Sequence, residues 1–151
     1  MALEDGRRGG LLTMPAVMTV TANGVDTSPI VRGVYVLENI LGTPPPPPPP
    51  DVEPLSPDLR GLSTLKEQLA GHRNQAACKS CHQRIDPYGF AMENFDPIGR
   101  WRDQYPKPDK NAKQGMAIDT TATLPDGAEI ANLTELKSVS YTHLRAHETK
   151  R

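Results

Sequence analysis

The chain has 151 residues, a net charge of -1 with both signs interspersed, 36% hydrophobic and 5% aromatic residues, and 16 prolines. Such a length allows one domain or two small ones, and the composition limits it to a modest core with much irregular chain. Near-neutral mixed charge gives no electrostatic basis for binding nucleic acid or an anionic membrane surface, and no apolar run approaches the ~20 residues of a membrane span.

Residues 11 to 25, LLTMPAVMTVTANGV, are rich in β-branched and apolar types and close on the turn dipeptide Asn23-Gly24, which predicts one strand or a short hairpin. Thr27-Ser28-Pro29 then offers a helix start, and Val34, Leu37 and Leu41 recur at helical spacing up to a stop at Gly42. Pro44 to Pro50 are consecutive prolines with fixed φ and no backbone donor, so they predict an extended polyproline II rod, a stiff spacer or a ligand for an aromatic groove. Asp51 to Leu62 continues as proline-containing loop. Thr64-x-x-Glu67 is a capping box opening a short helix with Leu65 and Leu69 one turn apart, ending at Gly71-His72-Arg73-Asn74.

That helix leads into Ala77-Cys78-Lys79-Ser80-Cys81-His82, which holds the chain's only two cysteines. C-x-x-C-H is the attachment signature of c-type haem: each thiol can add to a haem vinyl group, and His82 is held by the chain to supply an axial nitrogen to the iron. The competing readings are a dithiol redox pair, half of a zinc site, or two buried cysteines without chemistry. Zinc usually needs four protein ligands, there is no second cysteine pair, and only His72 among the other histidines is near in sequence. A thioredoxin-like site would sit in a βαβ pattern, whereas the residues before Cys78 read as helix.

Ile85-Asp86-Pro87-Tyr88-Gly89 predicts a turn, Phe90 to Phe95 one or two helical turns over the haem, and Asp96-Pro97-Ile98-Gly99 a second turn before Trp101. Residues 103 to 115 predict a mobile polar loop. Met116, Ile118, Thr120, Ala122 and Leu124 alternate, and Pro125-Asp126-Gly127 turns the chain toward Ala128 to Ile130, a β-hairpin. Asp86, Glu93 and Asp96 could serve as acid-base groups, but Asp86 and Asp96 each precede a proline, where their oxygens cap turn amides. Arg100 and Arg102 could neutralise haem propionates or face solvent. No phosphate-cradling glycine loop and no nucleophile-base pair is legible.

The run R-G-V-Y-V-L-E-N-I-L-G-T-P-P-P-P-P-P-P with H-R-N-Q-A-A-C-K-S-C-H-Q-R-I-D-P-Y-G-F-A-M-E-N-F-D-P-I-G-R-W-R resembles domain-of-unknown-function family 1588 (DUF1588) of large planctomycete cytochrome c-like proteins. I-D-T-T-A-T-L-P-D-G-A-E-I, with T-E-L-K after it, resembles the truncated start of family 1585 (DUF1585). The resemblance implies an extracytoplasmic, periplasmic or secreted, multidomain parent with several haem-type modules, and no established reaction comes with it. Its polar, acidic N-terminus is no signal peptide, which fits a fragment of such a parent. The expected organisation is a fragment start at 1–9, a family-1588-like module at 10–105, a truncated family-1585-like start at 106–137 and a non-native tail at 138–151. Val139 to Thr149 resembles the translation of a sequencing-library adapter, so His143 and His147 stay outside the site.

The expected fold is mainly α with irregular loops: a small cytochrome c-like haem module, an N-terminal strand or hairpin and a C-terminal β-hairpin. The expected cofactor is covalent haem c with its iron, held by Cys78, Cys81 and His82. A methionine sulfur opposite His82 would suit electron transfer, and Met116 and Met92 are the distal candidates. His72 is a weaker one, because five residues tie it to Cys78 on the proximal side, and an open sixth site is the remaining alternative. Two function classes remain: an electron-transfer module working with other domains of the parent and an unidentified redox partner, or a structural and interaction module whose C-x-x-C is a redox pair or disulfide without haem. A catalytic domain is the less favoured reading.

Overall fold

The computed structural model describes residues 7–48, 64–72, 76–107 and 111–139, with no side-chain detail at 71, 72, 76 and 77. The N-terminal segment is helical, not a strand: Leu11–Thr13 forms a 3-10 turn and Pro15–Val20 an α-helix, α1. Pro15 stands at the first helical position, where its missing N–H costs nothing and its φ is preset. The burial explains why this won over β-propensity. Val17, Met18 and Thr21 are buried on one helical face, whereas a strand would have put Met18 and Val20 on the same side, and Val20 is 68% exposed.

The Asn23-Gly24 turn forms as expected, with Asn23 Oδ1 accepting from the amides of Val25 and Asp26 at 2.9 and 2.6 Å and Gly24 at φ 90. Helix α2, Pro29–Tyr35, starts on Ser28, whose Oγ accepts from the Val31 amide at 3.3 Å. It continues through a π-helical turn, Val36–Ile40, and stops at Gly42 with φ 63. Pro44 to Pro48 then run outside any helix or strand and largely exposed; the expectations for Pro49 to Leu62 lie outside the described residues.

Helix α3, Leu65–His72, opens with the reciprocal capping box: the Thr64 amide donates to Glu67 Oε2 at 2.7 Å and the Glu67 amide to Thr64 Oγ1 at 3.2 Å. Leu65 and Leu69 are buried, as their spacing predicts. Helix α4, Ala76–Phe90, carries the whole C-x-x-C-H motif and also Pro87. The turn expected at Ile85 to Gly89 is therefore absent. Pro87 removes the hydrogen bond to the Gln83 carbonyl, but Gln83 is exposed, so water can serve that oxygen, and burial of Ile85, Asp86 and Gly89 holds the helix on course.

The chain then turns through Asp96 to Gly99, where the Gly99 amide reaches the Asp96 carbonyl at 3.0 Å. Residues 103 to 107 are not a loose loop. Tyr105 is buried, its amide donates to the Met116 carbonyl at 2.9 Å, and the Ile118 amide donates to the Asp103 carbonyl at 3.1 Å. The hairpin is present but short: β1, Ala122–Thr123, pairs antiparallel with β2, Glu129–Ile130, in the register Ala122 to Ile130. Gly127, at φ 88, closes its turn. A last helix, α5, covers residues 133–139.

The architecture is thus mostly helical with one small antiparallel sheet. The larger core cluster joins Leu12, Met18, Val36, Ala91, Met92 and Phe95 to Leu124, Ile130, Leu133 and Leu136. Residues on both sides of the expected division at 105 and 106 share this core. Val139, on the far side of the expected division at 137 and 138, packs against it too.

Helices α2 and α4 meet backbone to backbone at two glycines. A Cβ on Gly33 would lie 2.1 Å from the Ile85 carbonyl oxygen, and one on Gly89 would lie 1.8 Å from the Pro29 carbonyl oxygen. In an exposed helix, Gly→Ala stabilises by roughly 1 kcal/mol. Here the clash is with backbone that cannot yield, so Gly33→Ala and Gly89→Ala should each destabilise by about 1–3 kcal/mol instead. Urea midpoints at unchanged m-value measure this; a stabilised Gly33→Ala variant would show that the helices do not approach so closely.

Candidate functional site

Within α4, Cys78, Cys81 and His82 stand at i, i+3 and i+4, the spacing that brings side chains onto one helical face. Cys78 is buried and Cys81 partly so, and neither forms a disulfide. The imidazole of His82 is mostly buried, and its Nδ1 lies 2.9 Å from Oδ1 of Asp86, one turn further along the same helix and fully buried. Against an ionised Asp86, which can only accept, this contact calls for the proton on Nδ1 and leaves Nε2 as the ring's acceptor. Asp86 was expected to cap a turn; the persistence of the helix through Pro87 turns its carboxylate to His82. The i, i+4 spacing of the two residues was the available signal, hidden by reading Asp-Pro as a helix end.

Among the described residues, no three His, Cys, Asp or Glu side chains converge as they would on a metal ion. This arrangement does not suit tetrahedral zinc, which needs its donors around one atom. It does suit haem attachment, where two sulfurs bond to separate carbons of the macrocycle and only the imidazole meets the iron. The two thiols and the oriented imidazole therefore fit the group in kind and in order.

The distal candidates lie elsewhere. Met92 is buried in the larger core cluster with Phe95 and Leu133. Met116 packs, partly buried, against the smaller cluster of Leu65, Leu69, Phe90 and Tyr105. His72 closes α3, and its side chain is outside the described residues. A cleft of about 670 Å³ opens between Lys66, the Ser80, Gln83 and Arg84 side of α4, and Thr121 to Pro125. Cys78, Cys81 and His82 do not line it.

The acid-base candidates Glu93 and Asp96 are structural. Glu93 is fully buried and accepts from Thr27 Oγ1 at 2.8 Å, from an Arg102 terminal nitrogen at 3.1 Å and from the Tyr105 hydroxyl at 3.3 Å, while Arg32 reaches its other oxygen at 3.3 Å. Arg32, also fully buried, donates to the carbonyls of Met92, Phe95 and Asp96 at 2.9, 2.8 and 3.2 Å. Burial lowers the Arg32 pKa against the pull of Glu93, and burial with the Glu93 charge raises Tyr105. Arg102 is thus held inward by Glu93 and Thr27. Arg100 pairs with Asp96 at 2.7 Å with its side chain mostly in solvent.

The sequence model of one family, PSCyt3, described as a protein of unknown function (DUF1588), matches residues 8–105. The chain belongs to this family. No curated protein and no solved structure matches it. The DUF1588 match contains the polyproline run, the C-x-x-C-H motif, Asp86 and both members of the Arg32–Glu93 pair. It stops before the hairpin and α5 that complete the larger core cluster.

Removing Glu93 would leave Arg32 charged and buried without its direct ion-pair partner. Glu93→Ala should cost about 3–5 kcal/mol, far more than an ordinary surface substitution. A loss below about 1 kcal/mol in chemical denaturation would contradict the buried pair. Asp96 gives a pH-dependent counterpart. Burial alone would raise its pKa, but the Arg100 side chain and the amides of Arg100 and Ile98 hold it below the ordinary aspartate value of 3.8. Its stabilisation is therefore complete above the unfolded-state pKa and disappears as pH falls through the lower folded value. Asp96→Asn should flatten the loss of stability below about pH 4; an unaltered acid limb would remove Asp96 as its source.

Proposed function

We propose that the chain is a covalent haem-binding module of a larger extracytoplasmic cytochrome-like protein, serving electron transfer. The observation that supports this reading most is the set Cys78, Cys81 and His82 on one face of α4, with His82 held through Nδ1 by a buried carboxylate. The naming of the family as cytochrome-like agrees with it. Cys78 and Cys81 would hold haem c through one thioether each, and Nε2 of His82 would take the proximal position on the iron. The bound group supplies a one-electron couple whose potential its axial ligands and surroundings tune.

The residues of the chain do the rest. Helix α4 keeps the three donors in register, and its glycine contacts with α2 brace the helix beyond them. For the distal position Met116 and Met92 rank above His72, since methionine suits electron transfer. Met92 would have to leave the apolar core to serve, which favours Met116. The partners are the other domains of the parent chain and a redox protein that exchanges the electron. Among the described residues no helix is long and apolar enough to cross a membrane.

The test is maturation of the full chain with the haem-attachment machinery. Haem colour that survives acid-acetone extraction is expected, with one remaining link in Cys78→Ala or Cys81→Ala and none in the double variant. His82→Ala should change the spin state or block maturation. A normally folded chain that never takes covalent haem would overturn the proposal in favour of an interaction module with a C-x-x-C redox pair.

A further inference from the structure

Asp86 sits where a carboxylate carries two costs. Its carboxylate is fully buried, and burying a charge is among the most unfavourable placements a chain can make. It also precedes Pro87, whose ring disfavours the helical conformation that Asp86 adopts. An apolar residue between Ile85 and Pro87 would fill the same space without the first cost. The carboxylate makes a directed contact, 2.9 Å from Oδ1 to Nδ1 of His82, across one helical turn.

We infer that Asp86 is the positioning residue for His82. It fixes the Nδ1–H tautomer, locks the ring's rotation, and by drawing on that proton makes Nε2 a stronger electron donor. This rests on the haem reading and deepens it: a stronger proximal donor favours ferric over ferrous iron, so the contact sets the module at a lower potential than a ring bonded to a neutral acceptor would have. Since i, i+4 neighbours on a regular helix keep their spacing when the helix moves as a body, ligand and orienting group travel together.

The experiment uses the full chain in two forms. In the unloaded chain, the ¹⁵N shifts of His82 should show the proton on Nδ1, and Asp86→Asn should mix the two tautomers. In the haem-loaded chain, Asp86→Asn should leave the covalent haem content unchanged while the midpoint potential rises. A tenfold loss of ferric preference corresponds to about 59 mV for a one-electron couple. Asp86→Glu, a carboxylate on a longer arm, should recover part of the shift. An unchanged potential in a haem-loaded Asp86→Asn chain overturns this inference and leaves the haem reading standing. A chain that takes no covalent haem overturns both. Should Asp86→Asn not fold, the unsubstituted chain still decides, because a His82 proton found on Nε2 rejects the contact outright.

Discussion

The buried pair of Arg32 and Glu93 is the constraint around which the remaining packing is arranged. Arg32 projects from the middle of α2 and ends on three carbonyls and one carboxylate, all supplied by the turn that follows α4. Taking both charges out of water is expensive, and Arg32 Nε finds no partner among the described residues. The other donors are therefore all the more needed, and they fix the path of residues 92 to 96 closely. Glu93 in turn gathers Thr27, Arg102 and Tyr105, so the segments before α2 and after the turn are tied to the same point. Such a pair adds little net stability compared with an apolar core, but it permits one register and penalises others.

The proposed site inherits its geometry from that point. Where α4 ends, the Arg32 contacts hold the turn; at Ile85 and at Gly89, its penultimate residue, α4 comes into backbone contact with α2. The segment with Cys78, Cys81 and His82 is the first half of a helix clamped over its second half. Site residues on a braced helix keep their mutual spacing better than the same residues on a loop, which the proposed attachment, one side chain on iron and two bonded beside it, would require.

Local chemistry made several elements legible in the sequence. The Thr64 and Glu67 capping box, the Ser28-Pro29 start, the Gly42 stop and the Pro125-Asp126-Gly127 turn all rest on residues acting on their neighbours, and all are present. The misses have physical causes of their own. Val17, Thr19, Val20 and Thr21 have strand propensity, but Pro15 and the burial of one helical face outweighed it. Pro87 reads as a helix breaker, and tertiary contacts carried the helix past it. The motif itself was plain, whereas its partner Asp86 was hidden behind that same proline. Arg32 could not be found at all, since charged residues are rarely buried and its partner lies 61 positions away.

Sequence kinship and cohesion divide this chain differently. The matched stretch ends at Tyr105, yet Leu124, Ile130, Leu133 and Leu136 fill the same interior as Met18, Val36 and Met92. Evolutionary units are counted by similarity, while a hydrophobic interior is counted by what must be dry. A protein trimmed to the family boundary would open a greasy wound across Met18 and Met92, with stickiness rather than altered chemistry as its first symptom. The hairpin and α5 therefore act as a lid of apolar side chains over an interior that the matched stretch alone leaves open.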